Sequence, residues 1–472
     1  MRIQNINLNL ISIEKTLRKD YDFHSYNLQT SDNYVKFDEL FSIASSEVDS
    51  AIFDEPFEYC EIGNVTKDGD SNPVALDFSN RLIEYGDYYK KIEKGDIISV
   101  DKDDILLSKV RPNLKKYVRI TDENEKYFYT SAFIRLKPKK LSSILYYCFR
   151  TVFYNDLMAI ARQGKGYPTI NEKDLKTLKF RKRIIDELEL REEKISSEIA
   201  AIERLIEEIR KDIVPTQKII DKIFCETFVF DYNKFNELKA IKLYSTKQSI
   251  YSNNPDLRFS AKFHRPAGEY VENELRRIGK KRFKHYLAEP IVLGASISPT
   301  DCCEDGEFCY ISMATIKSWE FDKDSANIVS NSYSEAKKEK SVKKNDIILA
   351  RSGEGTIGKV ALIEDDINAI FCDFTMRIRL KNYNPKFAYY YMRSTYFQYL
   401  VEIYKKGLGK NTNIFPIVVQ EFPLPDLSLA EQQKIVDAIQ LEIDKQNEIK
   451  NQIATLRGEI DCIIENAILS ND

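Results

Sequence analysis

The sequence predicts a mixed α/β (α+β) protein: two tandem globular domains with mixed β structure, and two long helices. Three observations predict it. Isoleucines recur at alternating spacings of four and three in two separate stretches. Short phrases return about 242 residues further along the chain. Apolar, β-branched runs are closed by turns rich in glycine, proline and asparagine. A chain of 472 residues with 43% hydrophobic and 12% aromatic content fills more than one core, so two or three domains are expected.

The first helical stretch runs from Arg181 to Ile213, where Ile195, Ile199, Ile202, Ile206, Ile209 and Ile213 form a heptad seam flanked by Glu, Arg and Lys. Pro215 limits it, because proline has no N–H to donate and disfavours helical geometry in the residue before it, and a helix can restart at Thr216. The second ends the sequence, with Ile449, Ile453, Leu456, Ile460, Ile463 and Ala467 in the same alternation, extended upstream through Ile435 and Ile439. Arg181–Asp212 holds 8 basic and 10 acidic residues and Asp426–Asp472 holds 4 and 10, so the two stretches carry −8 between them. The whole chain carries −3, which leaves +5 on the remainder. Acidic rods on mildly basic globules are compatible with a phosphate-facing surface.

A repeated helix invites a search for a repeated domain. "RKDYDFH" from Arg18 aligns with "RFSAKFH" from Arg258, "DILLSKV" from Asp104 with "DIILARS" from Asp346, and "YYCFRTVFYNDL" from Tyr146 with "YYYMRSTYFQYL" from Tyr389. Gly164 and Gly166 fall on Gly407 and Gly409 at the last offset. The four anchors hold one register within three residues, so the chain divides as domain 1–180, helix 181–225, domain 226–425 and helix 426–472.

"NDIILARSGEGTIGKVAL", from Asn345, matches the phosphate-cradle pattern G-x-G-x-x-G through Gly353, Gly355 and Gly358. A phosphate loop needs a helix behind it to hold the anion on its N-terminal amides. Here the loop runs into the short β-branched stretch "VALIEDD", Val360 replaces the magnesium-binding hydroxyl, and the first copy reads "SKVRPNLKKYV" without glycine. The expected structure is a β-hairpin whose glycines supply positive φ, and no nucleotide or other cofactor is expected. What the hairpins share is cationic and polar: Lys109, Arg111, Asn113, Lys115 and Lys116 in one, Arg351, Ser352, Thr356 and Lys359 in the other. Arginine and lysine suit phosphates and guanine edges, and Ser, Thr and Asn suit either base edges or phosphates, although an exposed turn carries such residues without any ligand. The loops "RQGKGYPTIN", with Lys165 and Tyr167, and "KKGLGKNTNIF", with Lys410, Asn411 and Thr412, repeat the mixture of glycine, cation, amide and ring.

Catalytic vocabulary is sparse. No Asn/Asp-Pro-Pro-aromatic motif of an adenine methyltransferase occurs. Asp324, Glu335 and Lys337 make only a loose nuclease pattern in a polar stretch. Cys302, Cys303 and Cys309 lack the second ligand pair of a zinc site, so no metal is expected. His24 and His264 recur as Phe-His, which fits a repeated structural contact. The N-terminus shows no signal-peptide core and no apolar run reaches membrane length, which reads as a soluble cytoplasmic protein.

"NDIILARSGEGTIGKVAL", "YKKGLGKNTNI" and "FPLPDLSLAEQQKIVDAI" resemble recurring phrases of the DNA specificity subunits of type I restriction-modification systems. The most specific is "LSLAEQQKIVDAI" from Leu427; the first copy departs from it, reading "IIDELELREEKISSEI". The resemblance implies two target-recognition domains separated by helices that pair as an antiparallel coiled coil. Each domain would read one half of a split double-stranded DNA target. It further implies a non-catalytic subunit whose partners are two methyltransferase subunits and restriction/translocase subunits.

Overall fold

The phrases beginning at Asp104 and Asp346 become the central strands of two similar sheets. The computed structural model describes residues 26, 33–46, 48, 54–163, 167–252, 258, 260–303, 305–316, 318–353, 355–407 and 412–469. The chain divides into two units, one of residues 1–212 with 450–472, the other of residues 213–449.

In the first unit a four-stranded antiparallel sheet runs in the order Phe41–Ile43, Phe133–Pro138, Ile105–Ser108, Val118–Arg119. A second sheet places Phe57–Cys60 between Val74–Leu76 and Phe128–Tyr129, the last pair parallel. The second unit repeats the plan. Val292–Leu293, Thr375–Ile378, Ile347–Ala350 and Val360–Leu362 form the antiparallel sheet. Cys302–Cys303, Asn327–Val329, Phe308–Ile311 and Ala369–Phe371 form the other, again closed by a parallel pair.

Ile347 to Ala350 are an unbroken apolar run because both faces of the strand are covered. Ile347 and Leu349 join the helical core with Phe387, Tyr391 and Phe397, while Ile348 and Ala350 join a second core with Ile311 and Phe371. All four are fully buried, and burying an Ile or Leu side chain stabilises by about 1.5–3 kcal/mol. Each strand is entered through a left-handed residue, Asp103 at φ 68° or Asn345 at φ 71°. Asp and Asn tolerate that conformation better than most residues. Each is then locked by a buried carboxylate. Asp104 accepts from Asp101 N at 2.8 Å and from Arg135 Nε at 2.5 Å. Asp346 accepts from Lys343 N at 2.8 Å and from Arg379 Nε and Nη2, both at 2.7 Å.

The helix expected unbroken from Arg181 is interrupted at Arg191, giving helices Lys182–Leu190 and Glu192–Arg210. The seam position between Leu188 and Ile195 falls on Arg191 rather than on an apolar residue. Arg191 there pairs with Glu187 at 3.5 Å and takes a non-helical φ of −112°. Ile195, Ile199 and Ile206 are buried as the heptad predicts. A helix restarts at Thr216 after Pro215 and runs to Phe228. The last helix spans Leu429–Leu469 and buries Ile453, Ile460 and Ile464; Ile463 is only half-buried. Its start is a capping box, Ser428 N to Glu431 Oε2 at 2.8 Å and Glu431 N to Ser428 Oγ at 3.3 Å. Gln432 accepts from Asn384 N at 2.8 Å and Gln433 from Asn384 Nδ2 at 2.7 Å. The Glu-Gln-Gln phrase therefore caps this helix and ties it to the start of helix Pro385–Arg393. Among the described residues no helix is long and apolar enough to cross a membrane.

Candidate nucleic-acid interface

The glycine-rich segment is a hairpin turn. Ile347–Ala350 pairs antiparallel with Val360–Leu362, and Gly353, Gly355 and Gly358 take φ of 89°, 73° and 86°. No helix follows the loop to present its amides to a phosphate. In the first unit the equivalent turn contains the short 3-10 helix Pro112–Leu114 between two left-handed residues, Arg111 at φ 51° and Lys115 at φ 52°.

In each unit the hairpin turn meets the second loop singled out in the sequence. Ile170 N donates to Lys109 O at 2.9 Å and Arg111 N to Pro168 O at 2.9 Å. In the second unit Ile414 N donates to Arg351 O at 2.8 Å, and Ser352 bridges to Asn413. Each unit thus joins two loops far apart in sequence into one tip.

The candidate residues divide into exposed and anchored groups. In the first tip Arg111, Asn113 and Tyr167 are exposed, and the Arg111 guanidinium lies 5.2 Å from the centre of the Tyr167 ring. That stack holds a cationic fork at the surface with reduced freedom. The three lysines are held by their own unit: Lys109 Nζ donates to Ser131 O at 2.8 Å, Lys115 Nζ to Arg150 O at 2.7 Å, and Lys116 Nζ to Ile62 O at 3.1 Å. Lys115 also sits 4.3 Å from the Tyr154 ring, and burial pushes the Lys116 pKa down. In the second tip Arg351 Nε donates to Asp373 O at 2.7 Å and its Nη1 to Asn413 Oδ1 at 3.2 Å. Ser352 and Thr412 are buried together, Ser352 Oγ donating to Thr412 O at 3.3 Å. Thr356 Oγ1 bonds back to Ser352 O at 3.1 Å, and Lys359 lies 5.0 Å from the Trp319 ring. Lys165, Lys410 and Asn411 lie outside the described residues, as does His24.

Sequence reasoning missed the aromatic partners. Tyr154 and Trp319 carry Lys115 and Lys359, and Phe374, 46% exposed, lies 5.9 Å from the Arg351 guanidinium. The single tryptophan of the chain was a usable signal; Phe374 in "FCDFT" offered none. The other candidates do not assemble. Asp324 lines a groove with Lys323, Asp366 and Asn368 that includes neither Glu335 nor Lys337. Cys309 is buried and its thiol donates to Asn368 O at 3.4 Å, whereas Cys302 is exposed. His264 Nε2 lies 2.6 Å from Arg258 O, a local structural contact.

Residues 292–456 match the family described as the type I restriction modification DNA specificity domain. The match covers 165 of the 472 residues, from the antiparallel sheet of the second unit into the last helix. Its similarity to solved structures is long but faint. The HsdS subunit from Thermoanaerobacter tengcongensis is 14% identical over 92% of this chain and 96% of that one, with a TM-score of 0.31. The type I system S subunit from M. genitalium is 13% identical over 93% and 98%, with a TM-score of 0.35. A chain from a study of complex assembly and conformational transition of the type I R-M system is 15% identical over 92% and 97%, with a TM-score of 0.38. No curated protein matches the chain.

Proposed function

We propose that this chain is the non-catalytic DNA specificity subunit of a type I restriction-modification system, reading a bipartite double-stranded DNA target in the cytoplasm, one half-site per recognition domain, and directing methylation and restriction by partner subunits. Residues 1–180 and 226–425 are the recognition domains, and residues 181–225 and 426–472 the antiparallel rods that separate them. Two methyltransferase subunits dock on the pair of rods, with restriction/translocase subunits completing the assembly. The observation that carries the reading is the convergence, in both units, of a hairpin turn and a second loop on one tip, through Ile170 N to Lys109 O and Ile414 N to Arg351 O. Two tips of one frame with different side chains support two dissimilar half-sites. The exposed Arg111, Asn113 and Tyr167, the half-buried Arg351, Thr356 and Lys359, and Lys165, Lys410 and Asn411 are the proposed contacts. Lys109, Lys115, Lys116, Ser352 and Thr412 contribute by shaping the tips.

Methylome sequencing of a host with and without the gene tests this, with the expected outcome of one split motif of two unlike halves that disappears with the gene. A continuous or palindromic motif would sink the reading, and no motif at all would favour a coiled-coil scaffold without DNA readout. Inserting one heptad in each rod adds about 10 Å, or about three base pairs of DNA. The unread spacer should lengthen accordingly with both halves unchanged.

A further inference from the structure

The two tips share hydrogen bonds at matching positions, and one of those positions carries a different kind of side chain. Lys109 N donates to Ala132 O at 2.9 Å and its Nζ to Ser131 O at 2.8 Å. Arg351 N donates to Phe374 O at 3.0 Å and its Nε to Asp373 O at 2.7 Å. Each pair is 242 residues apart, so Phe374 occupies the place of Ala132. A phenyl ring 46% exposed stands where the first unit has a methyl group. It belongs to none of the buried cores of the second unit that Phe371 and Met376, close by in the chain, help to fill. The Arg351 guanidinium lies 5.9 Å from the ring centre.

We propose that Phe374 is a specificity-determining residue that reads a thymine of the second half-site through its C5-methyl group. Base edges in the major groove offer one apolar group, the thymine methyl, and phenylalanine is among the side chains that meet it. Arg351 orients the ring by cation–π contact and supplies the positive charge that draws the tip to the phosphates. The first unit, with Ala132 at this place and the Arg111–Tyr167 stack nearby, reads its half-site by hydrogen bonding instead.

The inference rests on the bipartite reading above, and the test separates the two. In the assembled complex with its methyltransferase partner, methylation rates are measured on duplexes carrying uracil in place of each thymine in turn, which deletes only the methyl. The wild-type complex should show one thymine in the second half-site whose replacement slows methylation about three- to ten-fold, the scale of one buried methyl contact. A Phe374→Ala complex should be slower on the thymine duplex and insensitive to uracil at that position. Its response to replacements in the first half-site, which also reports intact folding, should match wild type. A second half-site without a uracil-sensitive position, or sensitivity that persists in Phe374→Ala, would overturn the assignment. A complex that methylates no split target would overturn the bipartite reading itself.

Discussion

The two units build one loop frame from opposite materials. The second relies on Gly353, Gly355 and Gly358 to place the hairpin turn at positive φ, while the first reaches left-handed geometry with Arg111 and Lys115 on either side of Pro112. Glycine adopts that region freely but loses more freedom on folding; a non-glycine residue costs roughly 1–2 kcal/mol there. The first unit offsets that strain with side-chain contacts, Arg111 on Tyr167 and Lys115 on Tyr154 and Arg150 O. The difference separates frame from content. Backbone hydrogen bonds and a buried acid at the strand entrance recur, and the side chains at the tip differ.

The largest effect should come from breaking the recurrent part. Asp346 is 1% exposed and accepts two bonds from Arg379 and one from Lys343 N. Removing one partner of a buried ion pair costs about 3–5 kcal/mol. Asp346→Ala should therefore lower the urea midpoint of the transition followed by Trp319 fluorescence, since the one tryptophan lies in the second unit. Asp104→Ala should leave that transition where it was and shift the one followed by circular dichroism. If Asp104→Ala moved the Trp319 transition as far as Asp346→Ala does, the two acids would not act as independent locks of their own units.

Next in size is the glycine side of the comparison. A Cβ at Gly353 would lie 2.5 Å from Thr356 Oγ1 and 3.2 Å from Met313 Sδ, at a φ of 89°; one at Gly355 would meet nothing within 4 Å. Gly353→Ala should destabilise by about 1–3 kcal/mol and Gly355→Ala by about 1 kcal/mol, the latter through backbone strain alone. Equal losses in urea unfolding would show that steric contact at Gly353 contributes nothing.

Much of the frame was legible in the residues themselves. The β-branched run after the glycine loop excluded a phosphate cradle, because a strand offers no helix N-terminus. The repeat anchor at Asp104 and Asp346 located both hairpins; the anchor at Arg18 and the glycines Gly164, Gly166 and Gly409 lie outside the described residues. The anchored state of Lys109, Lys115 and Lys116 was not legible, since their acceptors, the carbonyls of Ser131, Arg150 and Ile62, are distant in sequence and identical in type to every other carbonyl. The same holds for Phe374, whose exposure follows from the turn at Cys372–Thr375 rather than from its neighbours. The interruption at Arg191 was written in the missing apolar residue of the seam, but a propensity reading passes over a charged residue that is a good helix former.

The smallest effect is the sharpest probe of the left-handed geometry. At Arg111 three contributions compete: relief of strain at φ 51°, roughly 1–2 kcal/mol, against the greater unfolded-state freedom of glycine and the lost stack on Tyr167, each on the order of 0.5–1 kcal/mol. Arg111→Gly gains the first and loses the other two, so its stability should stay within about 1 kcal/mol of wild type. Arg111→Ala loses the stack and keeps the strain, which should place it about 0.5–1 kcal/mol below Arg111→Gly in urea unfolding. Both variants should relax methylation at the first half-site and leave the second intact, since each removes the exposed guanidinium. An alanine variant more stable than the glycine variant would mean that the turn is not held left-handed at this position in solution, and the equivalence of Arg111 with Gly353 would fail with it.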